Sequence, residues 1–251
     1  MKETFFPNRI IQIIGLLLAA LLLSMPFLLF IGINSYSTNE LNQIIFYVLV
    51  CLIFISISYW VNHHRNQRFN WKFKLVESRF LYLMIVLLFI FSVGVNKPIN
   101  NLINQIFHFK TELSNPFNRP LAILGAVLIA PFLEEIIFRG IILRGLLTKY
   151  APRYAVIFSA LIFALVHGKP LQIWGVFVIG LIFGWIYYKT RSIGTTILLH
   201  SVLNLMVQIE SFLIFKYVGL ETANKLSGFL VIISIPLIVI LGKKLLLEVK
   251  K

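Results

Sequence analysis

Residues 121–142 read LAILGAVLIAPFLEEIIFRGII. At about 1.5 Å rise per residue, a helix of this length crosses a hydrocarbon core about 30 Å thick. Yet it carries two adjacent glutamates and an arginine, each costing roughly 2.5–3.5 kcal/mol at a helix centre on insertion scales. Such groups must face a bundle interior or a wet cavity and find partners there. Glu135 and Arg139 are four residues apart, about 40° on the helix wheel, so they can pair within the helix. Glu134 lies about 100° from Glu135 and about 140° from Arg139, and cannot easily share that bridge. The helix therefore offers one carboxylate already paired and one free to face a cavity. Pro131, three residues before Glu134, has no N–H and leaves the Val127 carbonyl without its usual helical partner, so a kink or an extra water is expected there.

The rest of the chain supports a membrane setting. Of its 251 residues 59% are apolar and 13% are charged, and the mean hydropathy is +0.90. A soluble globule is roughly half apolar and a quarter charged, so a soluble fold is excluded. The fold class is all-α and polytopic, with about eight transmembrane helices near 10–33, 44–62, 79–95, 120–143, 155–167, 171–188, 192–209 and 227–242. The first follows Lys2 and Arg9 but is too long for a signal-peptide core and lacks a small-x-small cleavage site, so it reads as an anchor. Between the third and fourth spans, Ile99, Leu102, Ile103, Ile106 and Phe107 fall on one helical face, with asparagines and Gln105 on the other. That pattern predicts one interfacial amphipathic helix over 99–113, along the outer membrane surface. The chain reads as a single integral-membrane domain, 1–251, with its chemistry at about 120–208. A lone cysteine, Cys51, rules out an internal disulfide or thiolate cluster.

Lysine and arginine number 23 against nine acids, all glutamate. The cations sit between apolar runs, so they orient the chain in a bilayer and predict no nucleic-acid partner. Counted by alternate connecting segments, 16 lie on the side of the termini and 6 on the other, with Arg139 inside a span. Positive-inside bias then places both termini in the cytoplasm.

Two of the five histidines lie within spans: His167 in FSALIFALVHG, one turn after Phe163, and His200 in TTILLHSVLNLM, one turn before Asn204. Glu134 and His200 come out about 12–14 Å from the cytoplasmic ends of their spans, and His167 and Asn204 roughly 18 Å. One layer can hold all four. Taken singly, each has a bland reading: a buried Glu–Arg pair is often a packing lock, and an asparagine in a span is often helix glue. Together they have the parts of a hydrolase. A carboxylate can take a proton from water, an imidazole can hold that water, and a histidine with an asparagine can donate to a developing oxyanion, worth roughly 3 kcal/mol per donor. No aspartate is present, which excludes a two-aspartate intramembrane protease.

Three motifs carry a resemblance. Glu134-Glu135-Ile-Ile-Phe-Arg139 fits EExxxR, Phe163-Ala-Leu-Val-His167 fits FxxxH, and His200-Ser-Val-Leu-Asn204 fits HxxxN. In this order they resemble the CPBP family of intramembrane endopeptidases, the CAAX protease and bacteriocin-processing (Abi) family. The resemblance implies an eight-helix fold of the Rce1 type, with a conical cavity opening toward the cytosol. It implies catalytic roles for Glu134 and His167 in activating water and for His200 and Asn204 in binding the oxyanion. Glu135, Arg139 and Phe163 would position them. No cofactor is required by this scheme. Zinc is the alternative, since Glu134, His167 and His200 could supply three ligands and leave a water position, although there is no HExxH and the asparagine after His200 suits an oxyanion better. The expected substrate is a membrane-anchored protein or peptide, and the expected location is a bacterial plasma membrane. Two rival readings are a non-catalytic bacteriocin-immunity or adaptor protein on the same scaffold, and a proton-coupled transporter. The latter would string polar residues through the bilayer rather than gather them in one layer. The sequence leaves the oligomeric state open.

Overall fold

The computed structural model describes residues 5–33, 36, 39–109 and 115–248. They form eight helices: α1 (Ile10–Ile31), α2 (Glu40–His64), α3 (Ser78–Phe107), α4 (Pro120–Leu146), α5 (Pro152–Val166), α6 (Pro170–Thr190), α7 (Ile193–Val218) and α8 (Leu220–Glu248). Seven of these contain stretches long and apolar enough to cross a membrane, and α5 is the shorter exception. Among the described residues there is no sheet, only an isolated bridge between Lys72 and Ser192. The fold is thus the polytopic all-α one that the composition requires.

Local chemistry sets the helix ends. The Asn39 side chain accepts from the Leu41 and Asn42 amides to start α2, and Ser192 Oγ accepts from the Thr195 amide at 3.0 Å to start α7. Pro152 and Pro170 open α5 and α6 at positions where a missing N–H costs nothing. Arg191, at a left-handed φ of 54°, closes α6 by donating its amide to the Tyr187 carbonyl.

The amphipathic segment is helical over Lys97–Phe107, and its orientation differs from a helix lying alone on the membrane surface. It continues the third span through a π-helical turn at Ser92–Asn96. Its polar face is not given wholly to headgroups, because Asn96 and Asn100 line an internal cavity. Positions 110–113 of the expected helix lie outside the described residues.

The two ends of the bundle are built differently. At the end holding the N-terminal segment and the loops between α2–α3, α4–α5 and α6–α7, residues 65–77 fold across the helices as a plug. The Lys72 carbonyl accepts from the Ile193 amide at 2.9 Å, and the Lys74 carbonyl accepts from Ser192 Oγ at 2.5 Å. Trp71 packs on Gly140, the Phe73 backbone on Gly194, and the Pro7 backbone on Gly145. A side chain at Gly145 or Gly194 would collide with the backbone that covers it, and one at Gly140 would press on Trp71 and Ile193. Asn62, fully buried, clamps Phe6 from both sides, accepting from its amide at 2.9 Å and donating to its carbonyl at 2.7 Å. At the opposite end the ties are ionic: Arg119 to Glu40 and Lys97 to Glu210, each at 2.6 Å.

Candidate active site

The fourth helix is α-helical only in part. A π-turn spans Gly125–Ile129 and a longer π-helical stretch spans Ile136–Leu143, every residue of which is buried. In the first, the Ala130 amide bonds the Gly125 carbonyl five residues back. In that register the Ala126 carbonyl would be met by the amide of residue 131, which is proline and has none. The orphaned carbonyl is taken instead by Asn204 Nδ2 on α7, at 2.7 Å. The sequence placed the orphan one residue on, at Val127, because it assumed regular α-helical spacing. The π-turn moves it to Ala126. Pro131 therefore does more than bend α4: it creates the acceptor that fixes Asn204.

Glu134 and Glu135 diverge as the wheel predicts, but Glu135 has two partners. Its Oε2 lies 3.1 Å from Arg139 Nε, an ion pair without the alignment of a hydrogen bond. Its Oε1 accepts from His200 Nδ1 at 2.9 Å. Arg139 is buried with its guanidinium 4.7 Å from the Phe163 ring centre and 5.7 Å from that of Phe183, faces worth about 2 kcal/mol to a desolvated cation. Its Nη2 reaches toward the Gly180 carbonyl at 3.5 Å. Gly180 packs against Ala160 and Phe163, so the close approach of α5 and α6 also serves the arginine.

Glu134 faces the other way. Its Oε1 accepts from the Tyr47 hydroxyl of α2 at 2.9 Å, and its Oε2 is 3.9 Å from His200 Nε2. Tyr47 escaped the sequence reading. A single tyrosine in an apolar span carries no motif, and only the fold brings it 87 positions along the chain to Glu134. His167 caps α5, and its Nδ1 lies 2.8 Å from the Phe163 carbonyl. A carbonyl can only accept, so Nδ1 carries the proton and a neutral His167 offers its Nε2 lone pair. Phe163 stands edge-on to both imidazoles, with centroids 4.9 Å from His167 and 6.0 Å from His200.

Glu134, His167, His200 and Asn204, from α4, the end of α5 and α7, all line one cavity of about 430 Å³. Phe163 lies in its wall, while Glu135 and Arg139 stand behind it. The wall away from the carboxylate carries carboxamides: Asn96, Asn100, Gln172 and Gln208. Glu134 and His167 also border a second, largely apolar cavity of about 470 Å³ beside Tyr47 and Phe54, and so form the partition between the two. His63 and His64 are exposed at the end of α2, and His108 caps α3 in a left-handed conformation, all outside this site.

The donor set does not fit zinc as arranged. A tetrahedral ion would need three ligand atoms at about 2.0–2.2 Å, and among the described residues no three His, Cys, Asp or Glu side chains converge in that way. Glu134 Oε1 is bonded to Tyr47 and His200 Nδ1 to Glu135, which leaves Glu134 Oε2 and His200 Nε2, 3.9 Å apart, as the donor atoms of these two residues without such a bond.

Comparison with known proteins follows the same stretch of chain. Residues 116–206 match the family model described as type II CAAX prenyl endopeptidase Rce1-like. A curated relative from Bacillus subtilis (strain 168), described as "Putative membrane peptidase YdiL", is 34% identical over 90 residues, which cover 36% of this chain and 37% of the relative. The chain thus spans little more than a third of that relative's length. No solved structure matches. Residues 116–206, which supply every motif side chain of the cavity, are thus the part of the chain that is similar to the Rce1-like CAAX endopeptidases.

Proposed function

We propose that the protein is an intramembrane endopeptidase that hydrolyses a peptide bond in a membrane-associated protein or peptide, with a water activated by Glu134. One observation carries this reading. An acid with one oxygen held by Tyr47 has its other oxygen 3.9 Å from an imidazole that is itself pinned by a second carboxylate. A single atom bonded to both at about 2.8 Å sits at the apex of a triangle with such a base, so a water can touch both groups.

In the mechanism, water enters between Glu134 and the free Nε2 of His167. Glu134 takes its proton as the oxygen attacks the scissile carbonyl. The carbonyl oxygen becomes an oxyanion and accepts from His200 Nε2. Because His200 Nδ1 already donates to Glu135, Nε2 donates only when both ring nitrogens carry a proton. Asn204 spends one amide hydrogen on Ala126 and keeps a second for the oxyanion. Collapse breaks the C–N bond, and the proton held by Glu134 passes to the departing amine. No step is routed through a metal. The sequence match to a family of prenyl-protein endopeptidases supports peptide hydrolysis as the reaction, and the substrate is a peptide or membrane protein rather than a prenylated C-terminus.

The test compares membrane peptides from cells expressing wild type and Glu134→Gln. Glutamine still accepts from Tyr47 through its carbonyl oxygen, so the fold should persist while peptides made only by the wild type disappear. A biological phenotype fully retained by a stable Glu134→Gln protein would replace this reading with the adaptor one.

A further inference from the structure

The cavity has a definite open end. Helix α5 has 15 residues, roughly 22 Å of helix against a core of about 30 Å. It packs antiparallel to α6, with Ala160 on Gly180 and Val156 on Gly184, and the hairpin turns at 167–169. Among the described residues, the space beyond that turn between the far portions of α3, α4 and α7 is the cavity. Glu134, Phe163 and His200 form its floor, and Asn100, Gln172 and Gln208 stand nearer its mouth, with Gln172 exposed.

The other direction is closed. Below Glu134, residues Ile136–Leu143 are all buried. The 65–77 plug, through Trp71 and the Lys72–Ile193 bond, covers the ends of α4 and α7, and the Pro7 backbone seals Gly145. The sealed end is also the cation-rich end. Of the 23 lysines and arginines, 16 belong to the segments on that side and 6 to those at the open end. The segments are short, which is the condition under which lysine and arginine bias sets orientation. The cytosol-facing cavity implied by family resemblance and the cytoplasmic termini implied by charge therefore conflict in this fold, because the cavity opens away from the termini.

We infer that the cavity opens on the extracytoplasmic face, so that its substrate is a polypeptide segment presented at the outer surface of the membrane rather than the tail of a cytosolic protein. This rests on the hydrolase reading for the word substrate, but the direction of opening does not. The lining suits such a segment. Its carboxamides, Asn96, Asn100, Gln172, Asn204 and Gln208, offer donors and acceptors to an extended backbone irrespective of side-chain sequence, and no lysine or arginine lines the space.

The test reads accessibility and not cleavage. Cys51, the one native cysteine, is buried and is replaced by serine. Single cysteines are then placed at Gln172 on the cavity rim, Asn118 at the open end and Lys149 at the sealed end, all exposed positions. Right-side-out membrane vesicles are treated with a charged, membrane-impermeant maleimide before and after permeabilisation. The expected result is labelling of Gln172→Cys and Asn118→Cys in sealed vesicles, at least tenfold above Lys149→Cys, which labels only after permeabilisation. The reverse pattern overturns the inference, as does equal labelling of all three. Labelling of Asn118→Cys with a silent Gln172→Cys overturns it too, since the mouth would then not reach the outer solution. Repeating the labelling in Glu134→Gln must give the same pattern, so a failure of the hydrolase reading and a failure of this one are separable.

Discussion

Glu134 and Glu135 are neighbours in sequence with opposite duties, and substitution should separate them. Glu134 touches the cavity and a tyrosine, so Glu134→Gln should lower turnover by roughly 10²–10⁴-fold, the range of a lost general base, with the thermal midpoint of purified protein unchanged. Glu135 is wholly buried between Arg139 and His200. Glu135→Gln strands a buried cation, a loss of roughly 3–5 kcal/mol, and should appear as reduced yield and a lower unfolding midpoint before any assay of cleavage. If the two variants lose stability equally, the division of labour is wrong. Tyr47→Phe removes one hydrogen bond to a charged acceptor and keeps the ring, so kcat should fall roughly tenfold, in line with about 1.5 kcal/mol for such a bond, with KM little changed. The wheel argument made the divergence of the two glutamates legible in the sequence. It could not show that Glu135 also holds His200, because i and i+4 spacing informs about one helix and this bond crosses between two.

At the scale of the helix, α4 owes its form to a proline in a π register. Pro131→Ala would restore an amide that competes with Asn204 for the Ala126 carbonyl. The expected outcome is a more regular α4, an Asn204 released from its anchor, and a several-fold loss of kcat in a protein no less stable than wild type. Unchanged kcat would mean that Asn204 does not depend on that carbonyl for its position. Helix α5 shows what the sequence could and could not disclose about elements. Its shortness was visible as an apolar run between Pro152 and Gly168, since length is counted directly. That the shortness leaves a hollow was not, because this depends on which helices stand around its end. The amphipathic segment after the third span was likewise legible as a helix from its period. Its continuity with α3 was hidden by the polar Asn96, Lys97 and Pro98, which read as the end of a span. In the fold, Asn96 faces the cavity and Lys97 is paired with Glu210.

In the whole molecule, structural support and chemistry are housed at opposite ends. The closed end is held by backbone lying against glycines and by side chains that reach across the chain, and it lines neither cavity that borders Glu134. This separation was beyond the sequence, since residues 5–9, 65–77, 140–145 and 191–194 share no motif and meet only when eight helices have been stacked. It has a measurable consequence at Asn62, whose carboxamide is the fully buried clamp on the Phe6 backbone. Asn62→Leu keeps the side-chain volume roughly constant while leaving the Phe6 amide and carbonyl without these partners, at a cost of roughly 1–3 kcal/mol for each buried group. The protein should then unfold at a lower temperature in detergent, while the surviving folded fraction cleaves at the wild-type rate per molecule, because nothing around Glu134, His167 or His200 has moved. A variant of wild-type stability, or one in which kcat falls in step with the unfolding midpoint, would show that the two ends are coupled and that the plug is part of the catalytic apparatus.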